Sequence, residues 1–143
     1  SFIIYCLFLI GGVISFKTNI NRLIMSNSNY RVLIHGGAGT ISKNIDKSNY
    51  QVALQQILTN IYHYVQSNES NNIIITPIDI VEYSVKQLED CPLFNAGVGA
   101  VIANNGQHEL DASIMDGITE TCGSTSFIKR IANPISLARI IME

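Results

Sequence analysis

The sequence has 143 residues, of which 47% are hydrophobic and 14% charged, and its formal net charge is −2. This length is enough for one domain with a buried core, and the lack of a basic surplus argues against nucleic acid as a partner. Three cysteines, Cys6, Cys91 and Cys122, are an odd number without metal-ligand spacing. They predict reduced thiols rather than a disulfide framework.

Residues 2–16, FIIYCLFLIGGVISF, form an uncharged apolar run. The run is shorter than the ~20 residues that cross a bilayer, and its length suits the core of a signal peptide. No methionine or basic segment precedes it, and the first methionine is Met25. Three interpretations follow: a remnant of a signal or anchor, a buried strand or helix, or upstream sequence that the functional protein does not carry.

We favour the third interpretation, because residues 19–29 have little hydrophobic pattern and resemble a linker. The sequence then divides into a leader and linker over residues 1–29 and one domain over residues 30–143. The expected localisation is cytoplasmic, with a secretory or membrane-associated location as the alternative if residues 2–16 are a genuine leader.

A short strand is predicted at residues 32–34, and HGGAGT follows it directly at residues 35–40. Consecutive glycines after a strand let successive backbone N–H groups form a concavity that favours anions. The glycine spacing is neither that of a P-loop nor that of a dinucleotide-binding turn. His35 could serve as a base, although a histidine at a strand end more often makes structural hydrogen bonds.

Two amphipathic helices come next. Apolar spacing predicts the first over residues 46–66, with Ser48 as its candidate N-cap and an exposed connector over residues 67–72. The second is predicted to begin at TPID, where Thr76 caps the helix and Asp79 reaches back to it. Its buried face is predicted to carry Ile78, Val81, Val85 and Leu88, and Glu82 and Lys86 to form an i,i+4 ion pair.

Residues 88–117, LEDCPLFNAGVGAVIANNGQHELDASIMDG, hold the densest set of signals. Pro92 ends the helix, and the asparagine and glycines that follow allow positive φ and close backbone approach. Strands are predicted at residues 98–103 and 108–115, joined by a two-residue type I′ turn at Asn105-Gly106. Asp111 lies inside a predicted strand, where aspartate is disfavoured, and this suggests a role beyond structure.

A third strand is predicted at residues 121–131. Asn133-Pro134 then caps a helix that begins at Ile135 and is still running at Glu143. A helix without a C-cap at the end of the chain predicts truncation. The patterns by themselves thus predict an α+β chain with helices, a hairpin and a further strand.

LEDCPLFNAGVGAV followed by HELDASIMDG resembles the plant-type L-asparaginases, also called isoaspartyl peptidases. VLIHGGAGTIS upstream and NPISLARIIME downstream match the same family in the same order, so the resemblance covers roughly residues 31–143. The chain departs from the family at CGSTSF, residues 122–127, where relatives carry small apolar residues and glycine. Phe127 is the largest change and is expected to crowd the sheet. Aspartylglucosaminidase and the threonine aspartase are weaker matches.

The resemblance implies an N-terminal-nucleophile hydrolase that cuts itself into two subunits and attacks amides with a threonine. It implies a four-layer α/β/β/α sandwich, of which this chain would supply a truncated part. The substrates implied are L-asparagine and isoaspartyl dipeptides. The family's threonine begins the second subunit, downstream of Glu143, so the chain is expected to be an inactive α-subunit portion without a catalytic residue of its own.

The site residues implied are of two kinds. Gly36 and Gly37 of the HGG stretch and Asn95 support the active site. A structural sodium ion, the one cofactor implied, is held by main-chain carbonyls of a turn after the second helix. The matching positions for those carbonyls are Leu88, Glu89, Cys91, Phe94, Ala96 and Val98.

The partners implied are a small-molecule substrate, a β subunit that this chain lacks, and a heterotetramer of two α and two β subunits. Two other classes remain open from the sequence. One is a non-catalytic product of a truncated or degenerate gene, and the other is a membrane-attached module built on residues 2–16. An incomplete sandwich would leave sheet edges uncovered, and the isolated fragment is expected to be poorly stable or to aggregate.

Overall fold

The computed structural model describes residues 7–8, 22–26, 30–37 and 48–143, and over these the chain is α+β as predicted. The elements in chain order are β1 (Leu7–Phe8), β2 (Arg22–Ser26), β3 (Arg31–His35), α1 (Ser48–Ser70), α2 (Pro77–Glu89), a 3-10 turn (Gly97–Gly99), β4 (Leu110–Met115), β5 (Cys122–Ile128) and α3 (Pro134–Met142). Among the described helices, none combines the length and apolar character that a membrane span requires.

Strand β3 is the centre of a three-stranded sheet, with β1 and β2 antiparallel on either side. The strand prediction at residues 32–34 is therefore confirmed, and Val32 and Ile34 point into the core. Strand β2 lies within the segment predicted to be a linker, so that prediction is wrong for Arg22–Ser26. The predictions for the apolar run concern residues that, apart from β1, lie outside the described ones.

Helix α1 buries its predicted stripe against this sheet, through Leu54, Ile57, Leu58, Ile61 and Val65. The helix continues to Ser70, beyond the predicted end, and asparagine side chains at this end donate to carbonyls one turn back. The amides of Asn68 and Asn71 donate to the carbonyl oxygens of Tyr64 and Ser67. Asn72, at φ +56°, then ends the helix in a Schellman motif, with Ile73 N–H donating to the Asn68 carbonyl.

Helix α2 begins as predicted. The Thr76 hydroxyl accepts from the Asp79 N–H at 3.3 Å, and the Asp79 carboxylate accepts from the Thr76 N–H at 2.7 Å. The predicted apolar face is buried but divided between two cores. Leu88 packs with β3 and α1, whereas the other three residues pack with β4 and α3: Ile78, Val81 and Val85.

The predicted strand at residues 98–103 is wrong, because Gly97–Gly99 forms a 3-10 turn and no strand follows it before β4. The predicted type I′ turn is also wrong. Gly106, at φ +76°, has positive φ, but Asn105 does not. Hydrogen bonds from Gly106 N–H to the Ala103 carbonyl and from Ala103 N–H to the Gln107 carbonyl close a three-residue loop. A type I turn followed by a left-handed glycine produces this arrangement.

Strands β4 and β5 form a second, antiparallel sheet, which confirms the strands predicted near residues 108–115 and 121–131. Helix α3 lies on this sheet and buries Ile135 and Ala138. Its backbone approaches β5 so closely that a Cβ on Gly123 would be 2.0 Å from the Ala138 carbonyl oxygen. Cys91 and Cys122 are free thiols, and Cys6 lies outside the described residues.

Candidate functional site

The segment after α2, residues 90–99, is wound tightly and is called here the Cys91 loop. Its backbone N–H groups bond within the loop: Phe94 donates to Cys91, Ala96 to Phe94, and Gly99 to Ala96. Two glycines make this winding achievable. A Cβ on Gly97, at φ +50°, would lie 2.2 Å from the Glu89 carbonyl oxygen, and one on Gly99 would lie 2.2 Å from that of Phe94.

The HGG stretch and the Cys91 loop meet through Phe94. This ring is 2% exposed, and a Cβ on Gly36 would come within 2.6 Å of it. Tyr50 of α1 packs edge-on against the same ring, with centroids 6.1 Å apart. Gly36 is therefore a contact position, where the lack of a side chain lets Phe94 lie against the end of β3.

Gly37 serves a different purpose. Its φ is +103°, and a Cβ there would meet no atom within 4 Å, so its requirement is conformational. Its N–H donates to Nδ1 of His35 at 3.0 Å. This bond supports the structural interpretation of His35, because the ring locks the turn at the end of β3.

The Asn95 side chain bonds to the segment just after its own loop, where Oδ1 accepts from Val101 N–H at 2.9 Å. The bond ties the Cys91 loop to the segment leading to the hairpin. Asn95 also lines a cleft of about 450 Å³ between the Cys91 loop and the second sheet. Of the residues predicted to support the active site, Asn95 lines this cleft, whereas Gly36 lies against Phe94 and neither glycine is among the lining residues.

The other polar side chains that line the cleft, among a larger number of apolar ones, are acidic or carry hydroxyls: Glu89, Glu109, Asp111, Ser113, Ser124, Thr125 and Ser126. Asp111 has a specific structural task. Its Oδ1 accepts from Phe127 N–H at 3.0 Å, where Asp111 alone on β4 faces Ser126 and Phe127 on β5. Asp111 thus satisfies a β-bulge, which explains an aspartate within a strand.

At the bulge, Phe127 does not cause the crowding of the sheet that was expected from it. The side chain is 72% exposed, so it does not press on the sheet. Its backbone instead has φ +58°, a conformation that glycine adopts without strain. The family departure at this position therefore affects the backbone and not the packing.

Glu89 is the residue whose role the sequence analysis missed. It was predicted to contribute only a carbonyl, but its side chain is 3% exposed and Oε1 accepts from Ile135 N–H at 3.1 Å. Ile135 lies in the first turn of α3, so a carboxylate at the end of one helix caps the start of another. Burial raises the pKa of Glu89 to about 7, against the opposing effect of the Ile135 N–H bond. No local motif could have signalled a partner 46 residues away.

Asn133 does not cap α3 with its side chain, contrary to prediction; its amide donates to Asp90 Oδ1 at 2.9 Å. A second clamp joins the two helices. The Arg139 guanidinium contacts Asp79 at 2.7 Å and Glu82 at 2.8 Å, and Glu82 also accepts from the Ser136 hydroxyl. Glu82 therefore directs its carboxylate to α3, and not to Lys86, its predicted partner.

The six carbonyls predicted to hold sodium can be tested against the loop geometry. Those of Cys91, Phe94 and Ala96 each accept one backbone hydrogen bond, which leaves a second lone pair, whereas that of Leu88 accepts from both Asp90 and Cys91 N–H. The Glu89 and Phe94 carbonyls face the glycines inside the loop. Oxygen donors turned into one tight turn suit a hard cation. Among the described residues, no group of His, Cys, Asp or Glu side chains has a metal-binding arrangement.

Four of the five threonines that the structure describes have hydrogen-bond partners of their own. Thr76 caps α2, the Thr59 hydroxyl donates to the Gln55 carbonyl, and the hydroxyls of Thr119 and Thr121 bond to each other. Thr125 is 7% exposed at the cleft wall.

Comparison with known proteins identifies the chain's relatives. A protein-family model described as asparaginase matches residues 28–143. The isoaspartyl peptidase of Escherichia coli K12 is 40% identical over 116 residues, a match covering 78% of this chain and 34% of that protein. The human isoaspartyl peptidase/L-asparaginase is 43% identical over 113 residues, covering 78% and 34%.

The plant-type L-asparaginase of Pyrococcus furiosus is 39% identical over 112 residues, covering 78% of this chain and 34% of that protein. The chain thus spans about a third of the length of the curated relatives it matches. The family model matches residues 28–143, which include the HGG stretch, the Cys91 loop and α3 in that order. The chain therefore belongs to the asparaginase family.

Proposed function

We propose that the whole protein is an amide hydrolase acting on L-asparagine and isoaspartyl dipeptides. Family membership over residues 28–143 carries this proposal. It is supported by relatives named for these activities in a bacterium and in humans. The described geometry adds a cleft of suitable size, bounded by the Cys91 loop and the second sheet.

In the proposed mechanism, a threonine freed by self-cleavage attacks the substrate amide, and its own α-amine takes the hydroxyl proton. The threonine lies in sequence beyond this chain, which acts as the α-subunit portion. Asn95 holds the cleft wall through its bond to Val101, and Gly36 with Phe94 sets the position of the Cys91 loop behind it. The assembled enzyme would be a four-layer α/β/β/α sandwich with two α and two β subunits.

A sodium ion in the Cys91 loop is part of the proposal. Its ligands would be the carbonyls of Leu88, Glu89, Cys91, Phe94, Ala96 and Val98. The ion would supply structural rigidity and no chemistry, because it would lie within the loop that supports Asn95. The inward Glu89 and Phe94 carbonyls are the observation that favours it.

An assay of the protein expressed from its complete reading frame tests the function. The expected result is ammonia release from L-asparagine and aspartate release from an isoaspartyl dipeptide, with loss of both when the self-cleaved threonine is replaced by alanine. The 143-residue chain alone serves as the control and is expected to be inactive. A fully cleaved protein that releases neither product would reject the proposal.

Thermal unfolding in sodium chloride, compared with choline chloride at equal ionic strength, tests the cation. A ligand that binds only the folded state raises the unfolding temperature with its concentration. Gly97→Ala should abolish this response, since its Cβ would displace the Glu89 carbonyl. Gly117→Ala is the matched control, because a Cβ there meets no atom within 4 Å, and it should retain the response.

A non-catalytic product is the second candidate, and the backbone of Phe127 favours it. A bulky residue at φ +58° beside the cleft departs from the small residues of the resembled family. If the complete protein folds but does not cleave itself, and Phe127→Gly does not restore cleavage, this second candidate becomes the better one.

A further inference from the structure

We propose that Asn105 is a site of spontaneous deamidation and isomerisation, and that its conversion opens the three-residue loop at residues 104–106. This modification is independent of the proposed enzymatic function. It follows from one dipeptide and from the polar contacts that hold its asparagine.

Asn105 is the only asparagine in the 143 residues that precedes a glycine. Both residues are exposed, and a Cβ on Gly106 would meet no atom, so the space around the Gly106 nitrogen is open. In other places the following residue is larger, as with Asn60 and Asn68, or is a proline without an N–H, as with Asn133. Glycine is the residue that least obstructs attack by its own backbone nitrogen.

The reaction needs only water. The Gly106 nitrogen loses its proton to solvent and bonds to Cγ of Asn105. The Cγ–Nδ2 bond then breaks, and the nitrogen leaves as ammonia after taking a proton from water. Water opens the resulting succinimide at either carbonyl, which produces aspartate or isoaspartate at position 105.

The loop geometry assists one step and restrains another. Oδ1 of Asn105 accepts from Gln107 N–H at 3.0 Å, and this is the oxygen on which negative charge develops during attack. The Gly106 N–H donates to the Ala103 carbonyl at 2.8 Å, so attack requires that bond to open first. The exposure of both residues makes such opening a local event.

Conversion of Asn105 to aspartate or isoaspartate replaces an attractive contact with Glu109 by a repulsive one. Nδ2 of Asn105 donates to Glu109 Oε1 at 2.8 Å, and Glu109 also pairs with Lys129 at 3.2 Å. Replacing the amide by a carboxylate removes this donor and puts two negative groups side by side. Isoaspartate also lengthens the backbone, so the Ala103–Gln107 hydrogen bond that closes the loop loses its register.

Prolonged incubation of the protein from its complete reading frame, followed by peptide mapping, tests the modification. The peptide with Asn105 should gain about 1 Da, because an NH2 group is replaced by OH, and should separate into two isomers. Asn105→Gln should abolish the change, since the ring that it would form is larger. Mass gain at other asparagines, with Asn105 intact, would overturn the proposal.

Hydrogen exchange tests the structural consequence. Asn105→Asp should speed exchange of the Ala103 N–H, and adding Glu109→Gln should restore its protection by removing the repulsion. Asn104→Asp adds the same charge one residue away and should leave the protection unchanged. Equal exchange in the Asn105→Asp and Asn104→Asp variants would show that the Glu109 contact does not hold the loop.

Discussion

Helices α2 and α3 begin in two different ways. At α2 the cap is local, because Thr76 and Asp79 satisfy each other's backbone N–H groups within four residues. At α3 the acceptor comes from Glu89, which ends α2 and is 46 residues away in sequence. Both helices carry proline at their first position, so the sequence presents two similar starts.

The difference shows how α3 is held in place. A locally capped helix can form its first turn before it packs, whereas α3 obtains its acceptor only when α2 lies beside it. The Arg139 clamp to Asp79 and Glu82 works in the same way and joins the same two helices. Helix α2 is therefore the element on which the second core is assembled. Of the four predictions that follow, three test this contrast and one tests the strained backbone beside the cleft.

Glu89→Ala should have the largest effect. It leaves the Ile135 N–H without its acceptor and empties buried space, and we expect a loss of about 3 kcal/mol in the free energy of unfolding. Glu89→Gln keeps an acceptor oxygen and should cost clearly less. Chemical denaturation of both variants measures the difference, and equal losses would mean that capping is not what Glu89 contributes.

Thr76→Ala removes the local cap and should cost about 1 kcal/mol of stability. Thr76→Ser is the matched control, because it keeps the hydroxyl that accepts from the Asp79 N–H. If Thr76→Ala proves costlier than Glu89→Ala in the same denaturation experiment, the ranking of the two helix starts is reversed.

Phe127→Gly should stabilise the chain by about 0.5–1 kcal/mol, since it relieves a left-handed backbone at φ +58° while adding some unfolded-state entropy. Ser126→Gly, in the same bulge but without positive φ, should be destabilising. Thermal unfolding distinguishes them. A loss of stability in Phe127→Gly would mean that the exposed ring makes a contact worth more than the strain.

Removing the Arg139 clamp should have the smallest effect on stability, and that effect depends on pH. Burial raises the pKa of Asp79 and of Glu82, but hydrogen bonds from Thr76, Ser136 and Arg139 outweigh it and lower both. The stability they confer is present above their ordinary values of 3.8 and 4.5, and it is lost as pH falls through the lower folded values. Arg139→Gln should flatten this acid dependence in denaturation curves collected across pH. An unchanged slope would show that the clamp does not set those pKa values.

The predicted elements that proved correct rest on short-range signals. Strand β3, helices α1 and α2, and strands β4 and β5 were all indicated by hydrophobic spacing or by a cap within four residues. The errors arose where backbone contacts in a turn decided the outcome. Residues 98–103 look like a strand, but Gly97–Gly99 forms a 3-10 turn, and the carbonyls of Glu89 and Phe94 lie where a Cβ on Gly97 or Gly99 would be.

The residues of the candidate site likewise fall into those that sequence motifs predicted and those that only the structure revealed. The family motifs predicted Gly36, Gly37 and Asn95 as supporting residues, and the structure adds how Phe94 joins two of those stretches. The buried carboxylate of Glu89 and the bulge at Asp111 could not be read from the sequence, because each has its partner on another element. Aspartate in a strand was the one visible trace of the bulge.

By itself, the sequence of this protein determined its family, its helices and the glycines on which its loops depend, since each of these is written in neighbouring residues. Tertiary structure alone decided which carboxylate starts α3, how α2 divides its apolar residues between two cores, and which residue bears the strained backbone beside the cleft. The physical reason is that capping and strand signals act within a few residues. Burial and long-range hydrogen bonds exist only after distant segments have packed.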